Sequence, residues 1–243
     1  MKQYGLIGYP LTHSFSKKYF EDKFRAEGIE NCAYDLYPIK DVAELQGLLQ
    51  KQPKLEGLNV TIPYKEQVIE LMDKLSPVAK EVGAVNCIKI EEEKTIGYNT
   101  DVFGFEKSLL RFLEGRRPRG VFVLGTGGSA KAVWYVLEKL DMPFLKVTRK
   151  VNTGAIGYAD IPLLMQESNL FINTTPLGMY PEINACADIP YEDLNENDFL
   201  FDLVYNPAET TFLARGAAQK AKTKNGLEML QLQAEESWRI WNS

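Results

Sequence analysis

The amino-acid sequence predicts an α/β protein built from two domains. Short apolar and β-branched runs alternate with amphipathic segments on both sides of residue 114, a pattern typical of sheets covered by helices. A polar stretch containing proline and glycine, EGRRPRG at 114–120, interrupts this alternation and is the best candidate for a boundary. The length of 243 residues allows one large domain or two ordinary ones and suffices for a sizeable core.

The first hundred residues predict strands separated by helices. The strands are expected where apolar or β-branched residues form short runs, at 4–8, 32–36, 58–62, 84–88 and 95–98. A first helix is expected from about Ser16 toward Glu27, and a second after Asp41, whose side chain can cap it. A third is expected over 68–75, where apolar residues recur at helical spacing.

The rest of the chain predicts another series of the same kind. We expect a helix over 103–113, a strand over 121–124, a helix with an apolar side over 130–140, and a strand over 144–148. A long final helix is expected from about Glu228 to Trp241.

Composition and charge exclude several classes of protein. The net charge of −5 argues against a general polyanion binder, and no apolar run approaches the roughly 20 residues of a membrane-spanning helix. The basic run at 116–119 is interpreted as a solvated linker and not as a nucleic-acid site, because it lacks interleaved aromatic residues. Cys32, Cys87 and Cys186 are scattered, so neither a disulfide framework nor a metal site is expected. A cytoplasmic protein without a signal peptide fits best.

A glycine-rich turn follows the predicted strand at 121–124 and opens the next helix. Its residues are Gly125, Thr126, Gly127, Gly128, Ser129 and Ala130, in the pattern G-x-G-x-x-A. In such a turn the first glycine allows a tight bend, the second lets the backbone approach a pyrophosphate, and the small last residue lets helix and strand pack closely. Free N–H groups at the helix start would then face the phosphates. A turn without a ligand is the alternative, but the strand–turn–helix context favours dinucleotide binding.

The end of the following strand indicates which dinucleotide is bound. An NAD-binding enzyme of this class carries an acidic residue there for the ribose 2′-hydroxyl. Here Thr148 is followed by Arg149 and Lys150, and two cations suit a 2′-phosphate, which an acid would repel. NADP is therefore predicted over NAD, although two cations after a strand are also common on protein surfaces.

Two charged residues at predicted strand ends suggest proton transfer. A nicotinamide enzyme that oxidises an alcohol needs a group to take and return the hydroxyl proton. His13 is the chain's only histidine, and a lysine held by a neighbouring charge can also serve. Lys65 follows the strand at 58–62 and Asp101 follows the strand at 95–98, so the two could meet at the strand tips. Taken alone, Lys65 is more often a solvated charge, and Asp101 is at least as readily a helix cap.

Together these motifs resemble the shikimate dehydrogenase family, and the resemblance covers nearly the whole chain. It is carried by separated segments in a matching order. They are GYPLTHSFS at 8–16, NVTIPYK at 59–65, GAVN at 83–86, NTD at 99–101, the turn at 125–130, NTTPLGM at 173–179, DLVYNP at 202–207, and GLEML at 226–230 followed by Gln233.

The resemblance implies a two-domain fold with the active site in the cleft between the domains. Residues 1–102 with 226–243 would form an α/β domain for substrate binding and catalysis, and 103–225 a Rossmann domain for NADP or NADPH. The implied reaction is the reversible reduction of 3-dehydroshikimate to shikimate, a step of chorismate and aromatic amino-acid biosynthesis. Lys65 would exchange the hydroxyl proton, and Asp101 would position both the substrate and the lysine.

The same resemblance implies the remaining site residues. Ser14 and Ser16 would bind the substrate carboxylate. The other substrate contacts would come from Asn59, Thr61, Asn86, Tyr205 and Gln233. Besides the glycine-rich turn and residues 148–150, the cofactor would be contacted by Thr174, Leu203 and Gly226.

Three positions depart from the family pattern. Lys17 and Phe20 stand where proline and histidine are usual, and Thr153 replaces the last arginine of the cofactor signature. One alternative is therefore a quinate/shikimate dehydrogenase that uses NAD or both cofactors. Another is a non-catalytic sensor that binds NADP and a metabolite. A monomer or a homodimer is expected, with no nucleic-acid partner, no membrane and no metal.

Overall fold

The structure of the protein, a computed structural model, describes residues 1–11, 15–150 and 154–243. The chain forms two compact units. The first is Met1–Asp101 with Gln233–Ser243, and the second is Val102–Leu232. Strands alternate with helices in each unit, which confirms the predicted α/β class.

The first unit contains a mixed sheet, with six strands among the residues described. The strands are β1 Lys2–Gly8, β2 Cys32–Pro38, β3 Leu55–Val60, β4 Lys74–Leu75, β5 Cys87–Glu91 and β6 Lys94–Tyr98. They lie in the order β2-β1-β3-β5-β6-β4, in which β5 runs antiparallel to both of its neighbours. The helices are α1 Phe15–Ala26, α2 Glu44–Lys51 and α3 Pro77–Val82.

Side chains of β1 alternate between the two faces of this sheet, as the strand period of two requires. Ile7 joins an aliphatic cluster on one face, whereas Tyr4 joins an aromatic cluster with Phe20 on the other. Trp241 belongs to the same aromatic cluster, and its Nε1 donates a hydrogen bond to the Ile88 carbonyl at 2.9 Å. The C-terminal segment is therefore part of the core of the first unit.

The second unit contains a parallel sheet, with five strands in the ranges described. The strands are β7 Gly120–Leu124, β8 Leu145–Val147, β9 Asn169–Asn173, β10 Phe199–Asp202 and β11 Lys222–Lys224. The helices are α4 Asp101–Leu113, α5 Gly128–Lys139, α6 Ile161–Leu164, α7 Thr211–Ala218 and α8 Leu227–Trp241, and both α4 and α8 have residues in each unit. In the described part of the chain, no helix is long and apolar enough to cross a membrane.

In the strand order β8-β7-β9-β10-β11, the side on which strands are added changes at β7. After β7 the chain forms β8 on one side of it and then β9 on its other side. In open α/β sheets, ligands bind at the carboxyl ends of the strands that flank such a switch point. The turn after β7 lies there, so the fold independently marks the glycine-rich turn as a candidate site. The polar stretch at 114–120 lies inside this unit, between α4 and β7.

The prediction of a helix over 68–75 is wrong. Gln67–Leu71 forms a 3-10 helix, and the chain then becomes the edge strand β4, which is parallel to β6. Asp73 holds this segment extended, because its carboxylate accepts hydrogen bonds from the Thr95 N–H at 2.8 Å and the Thr95 hydroxyl at 2.9 Å. The apolar residues still pack on the aliphatic cluster. The spacing thus predicted their burial correctly and their backbone conformation incorrectly.

β3 and β5 depart furthest from the ranges predicted for the strands of the first unit. β3 ends at Val60, because a turn begins at Thr61. The Thr61 carbonyl accepts a hydrogen bond from the N–H of the residue three positions later, at 3.0 Å. β5 begins at Cys87, three residues late, because the Val85 N–H donates to the Lys65 carbonyl at 2.7 Å instead of joining the strand ladder.

Asp41 does not cap α2 as expected. The helix starts at Glu44, and Asp41 lies in the turn before it, where its carboxylate accepts a hydrogen bond from the Ala43 N–H at 2.9 Å. A short acidic side chain satisfies a turn N–H as readily as a helix N–H, so the residue type alone does not separate the two.

Candidate active site

Lys65 and Asp101 meet in the first unit. Lys65 Nζ lies 2.6 Å from Asp101 Oδ2, and the two side chains are 15% and 7% exposed. Charges at this depth need to be paired and hydrogen-bonded, so the ion pair restrains both side chains. The structure thus brings together two residues that follow different strands.

The backbone around each partner explains how they meet. Lys65 lies in the turn after β3, next to Tyr64, which is buried and whose hydroxyl donates to the Ile39 carbonyl at 2.7 Å. Asp101 comes three residues after the end of β6 and is the first residue of α4. Because β3 and β6 point the same way, their carboxyl ends present a cation and an anion at one edge of the sheet.

Asn86 orients the carboxylate of this pair. Its Nδ2 donates to Asp101 Oδ1 at 2.8 Å, and its Oδ1 accepts a hydrogen bond from the Thr100 N–H at 2.6 Å. Gln233 Oε1 lies 3.4 Å from the same Nδ2 and 3.3 Å from the Thr100 hydroxyl oxygen. All four residues are buried. Each carboxylate oxygen of Asp101 therefore has its own partner, and the group cannot rotate without breaking a buried hydrogen bond.

Asn59 lies beside this cluster and is also buried. Its Nδ2 donates to the Asn86 carbonyl at 3.3 Å and to the Ser237 hydroxyl at 2.9 Å, and its Oδ1 accepts from the Tyr34 hydroxyl at 2.9 Å. The sequence-based interpretation missed Thr100, Ser237 and Tyr34. No local signal marks Tyr34 or Ser237, because one has the composition of an ordinary strand residue and the other that of an ordinary helix residue.

The predicted carboxylate loop is described only in part. Thr12, His13 and Ser14 lie outside the described residues, so the role of Ser14 stays a prediction. Ser16 is half-buried in the first turn of α1, and its side chain opposes the rise that burial causes in the pKa of the Tyr34 hydroxyl.

The chain leaving β1 packs against the turn that carries Lys65. The Tyr9 N–H donates to the Ile62 carbonyl at 3.2 Å. A Cβ added at Gly8 would lie 2.4 Å from Thr61 Cγ2, so this close approach requires glycine. Thr61 is half-buried at this contact. The start of the predicted carboxylate loop and the predicted catalytic segment are therefore neighbours.

The glycine-rich turn has a geometry that fits a pyrophosphate. Gly125 has a φ of +107°, and a Cβ there would lie 2.7 Å from Thr174 Oγ1. The Thr174 hydroxyl donates back to the Leu124 carbonyl at 2.7 Å. Gly127 caps α5, and no described atom lies within 4 Å of a Cβ built on it. Ala130 is fully buried against the sheet. Open space thus adjoins the start of α5, the end of a helix that favours an anion.

The other residues of the turn lie where the pattern places them. Thr126 is exposed, and Gly128 and Ser129 are half-buried in the first turn of α5. Thr148, Arg149 and Lys150 follow β8, the strand next to β7, and both cations are exposed. Thr153 lies outside the described residues, so its effect stays a prediction.

A buried carboxylate holds the loops after β9 and β10. Asp202 Oδ1 accepts hydrogen bonds from Asn173 Nδ2 at 2.9 Å and from the Val204 N–H at 3.0 Å, while Oδ2 accepts from the Thr210 hydroxyl at 2.6 Å. Burial raises the pKa of Asp202 to about 6, and the hydrogen bonds oppose this rise. The carboxylate thereby ties the end of one strand to the loop after the next.

Leu203 and Gly226 are in close contact beside this carboxylate. A Cβ at Gly226 would lie 2.1 Å from the Leu203 carbonyl oxygen, and the Gly226 N–H donates to the Val204 carbonyl at 3.1 Å. Tyr205 is half-buried in the same loop. These residues therefore share the carboxyl edge of the second sheet with the glycine-rich turn.

A doubly wound parallel sheet with such a turn at its switch point is typical of the dinucleotide-binding proteins of Rossmann type. Residues 6–88 match the family model described as the shikimate dehydrogenase substrate binding domain. A curated shikimate dehydrogenase (NADP(+)) from Clostridium beijerinckii is 39% identical over 255 residues, which cover 99% of this chain and 92% of the relative. The chain belongs to the shikimate dehydrogenase family, as the sequence motifs predicted.

Solved structures agree with this assignment. A shikimate 5-dehydrogenase from Thermus thermophilus, in complex with NADP(H) and shikimate, matches with a TM-score of 0.84 and 28% identity over 99% of this chain and 93% of that one. A quinate dehydrogenase from Corynebacterium glutamicum, in complex with NAD, matches with a TM-score of 0.85 and 26% identity over the same shares. The fold is thus shared by enzymes that differ in substrate and cofactor.

Proposed function

We propose that this chain catalyses the reversible reduction of 3-dehydroshikimate to shikimate with NADPH, in chorismate and aromatic amino-acid biosynthesis. The observation that carries the proposal is the partly buried pair of Lys65 and Asp101, 2.6 Å apart. The pair lies in the unit whose residues 6–88 match the family's substrate binding domain. A relative aligned over 99% of this chain is named as an NADP(+) shikimate dehydrogenase.

The proposed role of Lys65 is to move the hydroxyl proton. In the reducing direction its Nζ gives a proton to the oxygen of the substrate carbonyl, and in the oxidising direction it takes that proton back. Asp101 Oδ2 holds the ammonium in place and balances its charge, while Asn86 holds the other carboxylate oxygen. The geometry supports this role, because both charged groups are restrained without being fully enclosed.

We propose that substrate is bound by the side chains around this pair. Ser14 and Ser16 would take the carboxylate, and the ring hydroxyls would be bound by Asn59, Thr61, Asn86 and Gln233. Tyr205 is a further predicted contact. The buried hydrogen bonds among Asn59, Asn86 and Gln233 support the assignment, since they fix where each amide presents an oxygen or a nitrogen.

NADP, when bound, supplies the hydride chemistry of the reaction. We propose that the backbone N–H groups at the start of α5 hold its pyrophosphate and that Arg149 and Lys150 bind the 2′-phosphate. Thr174, Leu203 and Gly226 would adjoin the cofactor. The first unit would thus bind substrate and the second unit the cofactor.

We further propose that the enzyme is cytoplasmic, acts as a monomer or a homodimer, and has no nucleic-acid partner. The three cysteines are free thiols, which suits a reducing compartment, and the net charge of −5 disfavours a polyanionic partner. Among the residues described, no group of three His, Cys, Asp or Glu side chains could hold a metal ion.

The first experiment is to follow the absorbance of the reduced nicotinamide with purified protein and shikimate, with NADP and NAD in parallel. Turnover mainly with NADP is expected. Turnover mainly with NAD would keep the reaction and reject the cofactor assignment. No turnover with shikimate or quinate, despite binding of NADP, would favour a non-catalytic sensor.

A quinate/shikimate dehydrogenase is the second candidate. The observation in its favour is the similarity to the quinate dehydrogenase from Corynebacterium glutamicum in complex with NAD. Against it stand Arg149 and Lys150, since no acidic residue follows β8 for a ribose 2′-hydroxyl. The ratio of kcat/KM for shikimate to that for quinate separates the two candidates.

A further inference from the structure

We propose that Tyr34 and Ser237 are positioning residues. One chain of hydrogen bonds runs through them from the Tyr34 hydroxyl, beside the predicted carboxylate anchor Ser16, to the pair of Lys65 and Asp101. This inference rests on the proposed function, because it concerns how the same site holds its substrate.

The Tyr34 hydroxyl orients a residue predicted to bind the ring hydroxyls of the substrate. It donates a hydrogen bond to Asn59 Oδ1 at 2.9 Å. The Tyr34 residue is only 2% exposed, and Phe20 stacks on its ring with centroids 4.4 Å apart and planes at 14°. Burial raises the pKa of Tyr34, so the hydroxyl stays protonated and remains a donor.

Asn59 is oriented from three sides. Its two Nδ2 hydrogens point to the Asn86 carbonyl and the Ser237 hydroxyl, and its Oδ1 faces Tyr34. A flipped amide would set its oxygen against the Asn86 carbonyl oxygen, which is unfavourable. Only the second lone pair of Oδ1 is left to form a further hydrogen bond of the amide. We therefore expect Asn59 to accept, not donate, the hydrogen bond of a substrate hydroxyl.

Ser237 connects Asn59 with the catalytic pair. It is fully buried in α8, one helical turn after Gln233, and its hydroxyl donates to the Gln233 carbonyl at 2.9 Å. The same oxygen lies 3.1 Å from the Thr100 hydroxyl oxygen. The Thr100 N–H in turn holds Asn86, whose amide holds the Asp101 carboxylate. Loss of the Ser237 hydroxyl thus removes one hydrogen bond that orients Asn59 and another that orients Thr100.

The test uses Tyr34→Phe and Ser237→Ala, each of which deletes only a hydroxyl. Tyr191→Phe is the matched control for the first, because Tyr191 is also 2% exposed and donates to a backbone carbonyl at 2.8 Å. Ser108→Ala is the control for the second, because Ser108 is also a fully buried helical serine. For each variant we would measure kcat, the KM for shikimate, the KM for NADP, the calorimetric affinity for shikimate and the unfolding midpoint.

Both test variants should lose about tenfold in kcat/KM for shikimate, mainly through KM, with the KM for NADP changed by less than about twofold. The controls should lose stability without this change. Tyr34→Phe combined with Ser237→Ala should lose less than the product of the single losses, because both act through Asn59. Unchanged shikimate affinity and kcat in both test variants would overturn the inference while leaving the proposed function intact. A wild-type protein that neither binds nor turns over shikimate would overturn the proposed function itself.

Discussion

The catalytic cluster and the glycine-rich turn are built in opposite ways. The cluster consists of buried side chains from distant segments, in which Lys65, Asn86 and Asp101 restrain one another through hydrogen bonds of 2.6 and 2.8 Å. The turn at 125–130 is one continuous segment whose predicted function rests on backbone N–H groups and open space. A site made of side chains depends on each of those side chains. A site made of backbone depends instead on glycines, which carry no side chain that would fill the space. The two should therefore respond differently to substitution.

The largest effect is expected from Lys65→Met, which removes the proton-transfer group and keeps the length of the side chain. We expect kcat to fall roughly 10²–10⁴-fold, because general acid–base groups typically contribute that much. The KM for shikimate should change far less, since Asn59, Asn86 and Gln233 keep their hydrogen bonds. Steady-state kinetics in both directions measures both quantities.

Lys89→Met is the matched control for this variant. Lys89 is also mostly buried, with a side chain 12% exposed, and it pairs with Glu91 at 3.4 Å. It lies on β5, outside the predicted site. Its replacement should leave kcat unchanged. A Lys65→Met enzyme with kcat close to that of the control would remove Lys65 from the proton-transfer role.

The difference in construction also explains what could be predicted from the sequence. The glycine-rich turn is continuous, so its pattern and the strand before it indicated its strand–turn–helix context, whereas its position at the switch point came from the strand order. Lys65 and Asp101 lie 36 positions apart, and each has an ordinary alternative explanation. The sequence suggested that the two could meet at the strand tips, and the strand order accounts for their pairing, because it places the carboxyl ends of β3 and β6 at one edge.

Where local sequence patterns gave a wrong prediction or none, contacts between distant residues determine the structure. The apolar spacing at 68–75 is that of a helix, yet Asp73 binds Thr95 and holds the chain as an edge strand. Tyr34 and Ser237 likewise gain their significance from partners far along the chain, Asn59 among them. No pattern within a short window contains this information.

A pair of glycine variants tests the backbone site. Gly125→Ala should destabilise the unliganded protein, because the φ of +107° is unfavourable for alanine and its Cβ would meet Thr174. Gly127→Ala should leave the unfolding midpoint unchanged, since its φ is −80° and open space surrounds the Cβ. Both should raise the KM for NADP about tenfold or more. Normal NADP binding by Gly127→Ala would show that no pyrophosphate approaches this backbone.

A smaller effect is expected from Arg149→Ala. Because Arg149 is exposed, its loss should not disturb the fold, and it should raise the KM for NADP by about tenfold while leaving the KM for NAD unchanged. Arg119→Ala is a suitable control, since Arg119 is also exposed and pairs with Glu167 away from the turn. Equal changes with both cofactors would assign Arg149 to the part that NADP and NAD share.

The smallest effect on activity is expected from Asp202→Asn, which instead tests what it costs to bury a charge between the loops beside the cofactor turn. The asparagine Oδ1 can still accept from Asn173 and Val204, and its Nδ2 can donate to the Thr210 hydroxyl, so kcat should change little. The stability should change with pH. Burial raises the pKa of Asp202 from 3.8 to about 6, so ionising the folded protein costs more than ionising the unfolded chain.

The sign of that dependence distinguishes Asp202 from the surface carboxylates. With a raised pKa, its contribution to stability is most favourable below about pH 4 and is lost as the pH rises through about 6, a change of up to about 3 kcal/mol. Asp202→Asn should abolish this loss and so gain stability over the wild type between pH 4 and 7. Glu228 should behave in the opposite way. Its hydrogen bonds with Lys224, Arg111 and Ser108 outweigh burial and lower its pKa to about 2, so its contribution is lost as the pH falls from 4.5 toward 2. Unfolding midpoints across this range would contradict the account if Asp202→Asn tracked the wild type throughout, because folding would then not raise the pKa of Asp202.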